Sequence, residues 1–151
     1  MAIARGAGTE IIRSAHFHDI DGSAAHKIIF GVQHHVYTVL SVIVHCVSLQ
    51  AVANIIDLNI LGYDTKAGTT SIAMKIFRQH ISAGSTFVWN DKFSFNGHEP
   101  TDFTGPLDSI AKQDAIADQG EASKPQYLTL GSSHASDVFQ AHVTYIDQNN
   151  A

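Results

Sequence analysis

The stretch Val36-Tyr37-Thr38-Val39-Leu40-Ser41-Val42-Ile43-Val44-His45-Cys46-Val47 decides the fold class. It is dense in β-branched and aromatic residues, holds neither Gly nor Pro, and has no apolar stripe at helical spacing, so it reads as a β-strand. Strict alternation sets Val36, Thr38, Leu40, Val42, Val44 and Cys46 on one face, and Tyr37, Val39, Ser41, Ile43, His45 and Val47 on the other. Both faces are fairly apolar, which predicts a central strand covered on both sides. With Tyr37, Thr38, Ser41 and His45 inside it, the run is too short and too polar to span a bilayer.

Similar runs flank it. Residues 10–18 form one, and Asp19-Ile20-Asp21-Gly22 turns the chain towards another at 26–32. Residues 52–63 and 72–79 read as a hairpin joined by the polar loop 64–70. Ser82-Ala83-Gly84-Ser85 is a turn that opens a strand over 86–95, with Phe87, Trp89, Asp91, Phe93 and Phe95 on one face and Asn96-Gly97 at its end. Residues 126–130 and 137–146 are two more strands. In the last, Phe139, Ala141, Val143 and Tyr145 alternate with Val138, Gln140, His142, Thr144 and Ile146. About eight strands at this spacing predict an all-β fold, an antiparallel β-sandwich with jelly-roll-like character.

Residues 98–125 break the pattern and hold all three prolines, Pro100, Pro106 and Pro125. A short helix is expected over 107–118, with Leu107, Ile110, Ala111 and Ala115 on one side and Pro106 in its first turn. The segment is either a surface excursion or an arm that reaches a neighbouring subunit. The expected organisation is a flexible N-terminal arm over 1–9, one sandwich domain over 10–147 that carries the 98–125 insertion, and a tail over 148–151.

Composition narrows the function classes. The 151 residues are 44% hydrophobic and 15% charged, with a net charge of −5. The usual charged share is about 25%. Such a chain can bury a core, which argues against disorder, and its acidity argues against binding nucleic acid by phosphate neutralisation. A single cysteine, Cys46, excludes an intrachain disulfide and a zinc site built from several thiolates. Residues 1–8 lack the apolar core of a signal peptide, so synthesis in the cytoplasm is expected, with no membrane partner.

Ten histidines are the most unusual feature. His16 and His18 share a strand face, as an H-x-H pair does in cupin-like metal sites, with Glu10, Asp19 and His26 nearby in sequence. The Gly-rich motif of such sites is absent. His34 and His35 would point to opposite faces. The competing reading is that these are low-charge interface groups that make assembly pH-sensitive between about pH 5 and 8. Cys46 sits in the most apolar strand and reads as a buried structural thiol. Gly131-Ser132-Ser133-His134 lacks the strand-turn-helix setting of a nucleophile elbow. Arg5-Gly6-Ala7-Gly8-Thr9 has no preceding strand or following helix and reads as a flexible arm rather than a phosphate loop. Trp89 with Phe87, Phe93 and Phe95 reads as sandwich core rather than a sugar platform. No cofactor is expected.

Residues 36–41, 72–77, Ile81-Ser82-Ala83-Gly84-Ser85-Thr86-Phe87-Val88-Trp89-Asn90-Asp91-Lys92-Phe93, 137–138 and 143–146 form an ordered series. This series resembles small β-sandwich virion structural proteins of tailed bacteriophages, cyanophage-like, which decorate or cement the head or serve at the neck or tail. The resemblance implies a non-enzymatic virion component, homo-oligomeric as a trimer or dimer. Its implied partners are the major capsid protein or other virion proteins, without nucleic acid. The expected subunit-contact residues are Ala2, Ile3, Arg5, Gly6 and Gly8 in the arm, with Phe103, Leu107 and Ile110 in the excursion. Two alternatives stand beside this reading: a neck, tail or fibre-associated protein that binds host glycans, and a cupin-like metal-dependent enzyme using His16 and His18.

Overall fold

The computed structural model describes residues 9–50, 55–64, 69–98, 109–111 and 125–149. Nine strands run through them: β1 (Thr9–Ile20), β2 (His26–Phe30), β3 (His35–Ser48), β4 (Ile55–Asp64), β5 (Thr69–His80), β6 (Thr86–Trp89), β7 (Phe93–Asn96), β8 (Tyr127–Ser132) and β9 (Val138–Asn149). All pairings are antiparallel. One sheet has the order β1-β9-β3-β6, with β7 also on β3, and the other has the order β2-β8-β4-β5. The pairs β1–β9, β2–β8, β3–β6/β7 and β4–β5 are nested, one inside the next. A long antiparallel hairpin of four such pairs, rolled into two facing sheets, is a jelly roll. The sandwich expected from the sequence is therefore present, and its strand order is now defined.

The core lies between the sheets. Val39, Val42, Val44, Phe139 and Val143 of the first sheet meet Ile56, Leu58, Leu128 and Leu130 of the second, all fully buried. Phe77 of β5 closes one side against Phe87 and Trp89 of β6, at ring-centroid distances of 5.0 and 5.8 Å. These aromatic rings are core residues, as expected.

The central strand departs from strict alternation. Its register against β9 shifts between Val39 and Ser41, so Leu40 is the extra residue of a β-bulge. The bulge reverses the phase of the strand: Tyr37 and Val39 before it, and Val42, Val44 and Cys46 after it, all face the core. The two faces read from the sequence are thus mixed at residue 40. Nor do the described residues cover the strand on both sides, because Ile43 and Val47 on its outer face are exposed. The partner strand breaks at the same level. β6 pairs with residues 42–45 and β7 with residues 36–39 of β3, so 86–96 is two short strands rather than one, and Asp91 is exposed between them.

Other boundaries also move. β9 runs on to Asn149, so Gln148 and Asn149 are strand, paired with Glu10 and Thr9, rather than tail. The β4–β5 hairpin forms as expected, with 65–68 outside the described residues. Residues 1–8, 51–54, 99–108, 112–124 and 150–151 also lie outside them, and with them most of the expected helix over 107–118. The turn before β6 follows its sequence: Gly84 takes a φ of +82°, in the left-handed region that glycine tolerates, and its N–H donates to the Cys46 carbonyl at 2.8 Å.

Candidate functional site

The outer face of the first sheet is built by β1, β9, β3 and β6. Cross-strand pairing lines up three rows across it: Ile12–Ile146–Thr38–Ser94, Ser14–Thr144–Ser41 and His16–His142–Ile43–Val88. None of these positions carries a lysine, arginine, aspartate or glutamate. Ile12, Ile43, Val47 and Val88 are exposed on this face. His16 lies 4.7 Å from His18 and 5.6 Å from His142 between ring centroids, so three imidazoles from two strands form one cluster. His45 Nδ1 contacts Thr86 Oγ1 at 2.8 Å on the same side.

One end of the sandwich brings together Thr9, His35, Gly97 and Gln126. Thr9 pairs with Asn149, and Asn149 with His35. The His35 carbonyl accepts the Gly97 N–H at 2.8 Å, the Gly97 carbonyl accepts the Gln126 N–H at 2.8 Å, and the Gln126 carbonyl accepts the Gly31 N–H at 2.9 Å. His98 and Pro125 form a β-bridge. The backbone therefore departs into 1–8 and into 99–124 from the same end. The packing there leaves no room for side chains: a Cβ on Gly97 would sit 1.9 Å from the Val32 carbonyl oxygen.

A polar cluster anchors this end. Asp147, almost fully buried, accepts from Arg13 Nε at 2.9 Å and contacts His35 Nδ1 at 2.6 Å. Buried Tyr37 donates its hydroxyl to the Phe30 carbonyl at 3.3 Å and accepts the Val32 N–H at 3.1 Å. Burial, and then the nearby Asp147 charge, push its phenol up to about 12. His34 adopts a φ of +64° in the turn that closes with the His35 N–H on the Val32 carbonyl. The strand begins only at His35, so the two histidines are not strand neighbours on opposite faces. His35 is free to reach Asp147.

At the other end Asp21 Oδ1 accepts from Ser23 Oγ at 2.5 Å and from the Ser23 N–H at 2.9 Å, and contacts His26 Nε2 at 2.9 Å. The Ser23 hydroxyl first, and His26 second, lower its carboxyl to about 2. Buried Asp137 accepts the Gln50 N–H at 3.0 Å. Cys46 is fully buried, and burial followed by the Asp137 charge raises its thiol, which opposes the thiolate a nucleophile needs.

His16 and His18 point outward to solvent, not into the space between the sheets. Among the described residues no group of three His, Cys, Asp or Glu is placed to hold a metal ion. The cupin-like arrangement is therefore not built on this pair. Ala2, Ile3, Arg5, Gly6, Gly8, Phe103 and Leu107 lie outside the described residues, while Ile110 lies within them and is exposed. The sequence reading missed Arg13, His35, Tyr37 and Asp147 as a group. A signal existed: the inward series Phe139, Ala141, Val143, Tyr145 reaches Asp147 at its next step.

No protein-family model matches the chain. No curated protein matches it. Among solved structures, it is similar to a chain from the disulfide-linked pili that Bacillus endospore appendages form, at 11% identity and a TM-score of 0.44, covering 100% of this chain and 97% of that one. It is also similar to a chain of the infectious bursal disease virus Gx strain, at 9% identity and a TM-score of 0.46, covering 97% and 34%. A chain of the T13 IBDV viral particle aligns at 7% identity and a TM-score of 0.41, covering 99% and 37%. This chain spans about a third of the length of both viral chains. Likeness at this level says nothing about what the chain does. No helix among the described residues is long and apolar enough to cross a membrane.

Proposed function

We propose that the protein is a non-enzymatic virion structural protein, a capsid decoration or cement protein that bridges neighbouring capsomers. Besides the sequence resemblance, one observation supports this reading. The chain enters residues 1–8 and 99–124 from the same end of the jelly roll, at Thr9, His98 and Pro125. Two tethers leaving one pole can engage adjacent lattice subunits together, and linked contacts of modest strength then hold tightly. In this reading Ala2, Ile3, Arg5, Gly6 and Gly8, with Phe103, Leu107 and Ile110, contact the major capsid protein or other virion proteins. The protein works in the virion after synthesis in the host cytoplasm.

The buried polar groups fit a structural role. Arg13, His35 and Asp147 satisfy one another, and Tyr37 and Asp137 hold backbone groups. Rebinding of purified protein to particles stripped of it tests the reading. Full-length chain should rebind, and a chain lacking residues 1–8 should rebind at least about tenfold more weakly. Equal rebinding would remove the arm from the mechanism.

A further inference from the structure

We propose that the outer face of the β1-β9-β3-β6 sheet is a contact surface for a second copy of this chain, and that acid opens the pair. The inference goes beyond the virion reading and does not depend on it.

Three features select a second copy as the occupant. First, Ile12, Ile43, Val47 and Val88 are exposed on this one face, across β1, β3 and β6. Ile43 and Val88 are direct cross-strand neighbours in one row, with Ile12 two rows away on one side and Val47 further along β3 on the other, and aliphatic side chains presented on one sheet face favour removal from water together. Second, the three central rows carry no formal charge at neutral pH. A charged partner would have to bury its charges here without counterparts, which is costly. A second copy brings the same uncharged face, and a two-fold axis matches the patch to itself. Third, the size suffices once the rows flanking these three are included, which take in His18 at one edge and Glu10 at the other. Four strand positions about 4.8 Å apart and ten residues of about 3.3 Å rise give roughly 600 Å² per copy before side-chain relief is counted. Two copies then reach about 1,200 Å², where stable interfaces begin. Two sheets stacked face to face at about 10 Å is also a packing that proteins use within domains.

The histidines supply the pH dependence. His16 and His18 of β1, His142 of β9 and His45 of β3 lie on the contact face, and the β6 segment paired there contributes no titratable group. Glu10 and Asp19 sit towards the two ends of β1. Asp91 and Lys92 lie in the turn between β6 and β7 at the far edge, and Arg13 is turned to Asp147. No carboxylate stands in the three central rows. Neutral imidazoles can be buried against Ile43 and Val88, but imidazolium ions would face aliphatic groups or the other copy's imidazolium ions. Imidazoles as a class titrate between about pH 5 and 8. Each one that must stay neutral in the pair weakens it about tenfold per pH unit below its titration.

Sedimentation of the full chain at about pH 7.5 and about pH 5 tests this. The expected result is a dimer at the higher pH whose Kd rises at least about tenfold at the lower. Val88→Glu, at an exposed position, should be a folded monomer at both, with circular dichroism reporting the fold. The quadruple change His16→Gln, His18→Gln, His45→Gln and His142→Gln should keep the dimer at low pH. A monomer at neutral pH, a dimer indifferent to Val88→Glu, or a quadruple variant that still dissociates in acid would each overturn the proposal. A pH-sensitive dimer that is absent from purified virions would refute the virion reading alone. A monomer abundant in virions would refute the pair alone.

Discussion

His35 Nδ1 lies 2.6 Å from Asp147 Oδ1, which ties the first residue of β3 to the last inward-facing buried residue of β9. Arg13 of β1 binds the other carboxylate oxygen at 2.9 Å, so one side chain links three adjacent strands. The partners differ in exposure, with the Arg13 side chain 46% exposed and that of Asp147 5%. Asp147→Ala should therefore cost about 2–3 kcal/mol, because it leaves two donors and a buried gap. Arg13→Ala should cost under about 1 kcal/mol, since half-exposed ion pairs contribute little. Urea unfolding midpoints give both values. Equal losses would mean that the carboxylate is not the hub.

Tyr37 should give an alkaline limit to stability. Its folded pKa of about 12 lies above the ordinary phenol value of 10.0. The unfolded chain therefore loses this proton first. The stabilising contribution is complete below about pH 10 and disappears as pH rises towards about 12, up to about 3 kcal/mol in all. Burial raises the Tyr145 phenol too, in the same direction. In Tyr37→Phe the alkaline loss should shrink, while stability near neutrality falls by about 1–2 kcal/mol because the Val32 N–H loses its acceptor. Ultraviolet tyrosine titration with unfolding at two alkaline pH values measures both effects. An unchanged alkaline loss in Tyr37→Phe would contradict the assignment.

Asp21 acts in the opposite pH range. Its carboxyl is lowered from 3.8 to about 2, so its contribution is present above the ordinary carboxylate value and is lost as pH falls towards about 2. The largest cause is the Ser23 hydroxyl. Ser23→Ala should return the carboxyl most of the way to its ordinary range in a carbon-detected NMR titration. His26→Ala should move it less. The reverse order would show that the imidazole, not the hydroxyl, holds the turn.

Gly97 tests the packing at the pole. Gly97→Ala would bring a Cβ to 1.9 Å from the Val32 carbonyl oxygen, against backbone that cannot swing away. The expected loss is about 3 kcal/mol. Gly84→Ala meets nothing within 4 Å and should cost only the left-handed backbone penalty, about 1 kcal/mol. Thermal unfolding of the two variants ranks them. Comparable stability would mean that the 31–35, 97 and 126 segments are not locked together.

The all-β fold was legible because hydrophobic alternation is local: residues 36–47 read as a strand without reference to any partner. The bulge at Leu40 was not legible, because an extra residue is detected only against the register of β9, far away in sequence. The same non-local cause split 86–96, since β6 and β7 take their break from β3. Asp147 was missed as a strand residue because the last strand was read as ending at Ile146, with Asp147 the final residue of the domain. In the fold that carboxylate is strand, and Arg13 and His35 make its burial tolerable. His16 and His18 were readable as same-face neighbours, but only strand pairing brings in His142 and turns the cluster outward.

The most direct measurement of the assembly role is quantitative mass spectrometry of purified virions, comparing copies of this chain with copies of the major capsid subunit. A decoration or cement protein should be present in numbers comparable to the capsid lattice. A few copies per particle would move it to the neck, tail or fibres, and its absence from particles would contradict the virion role altogether.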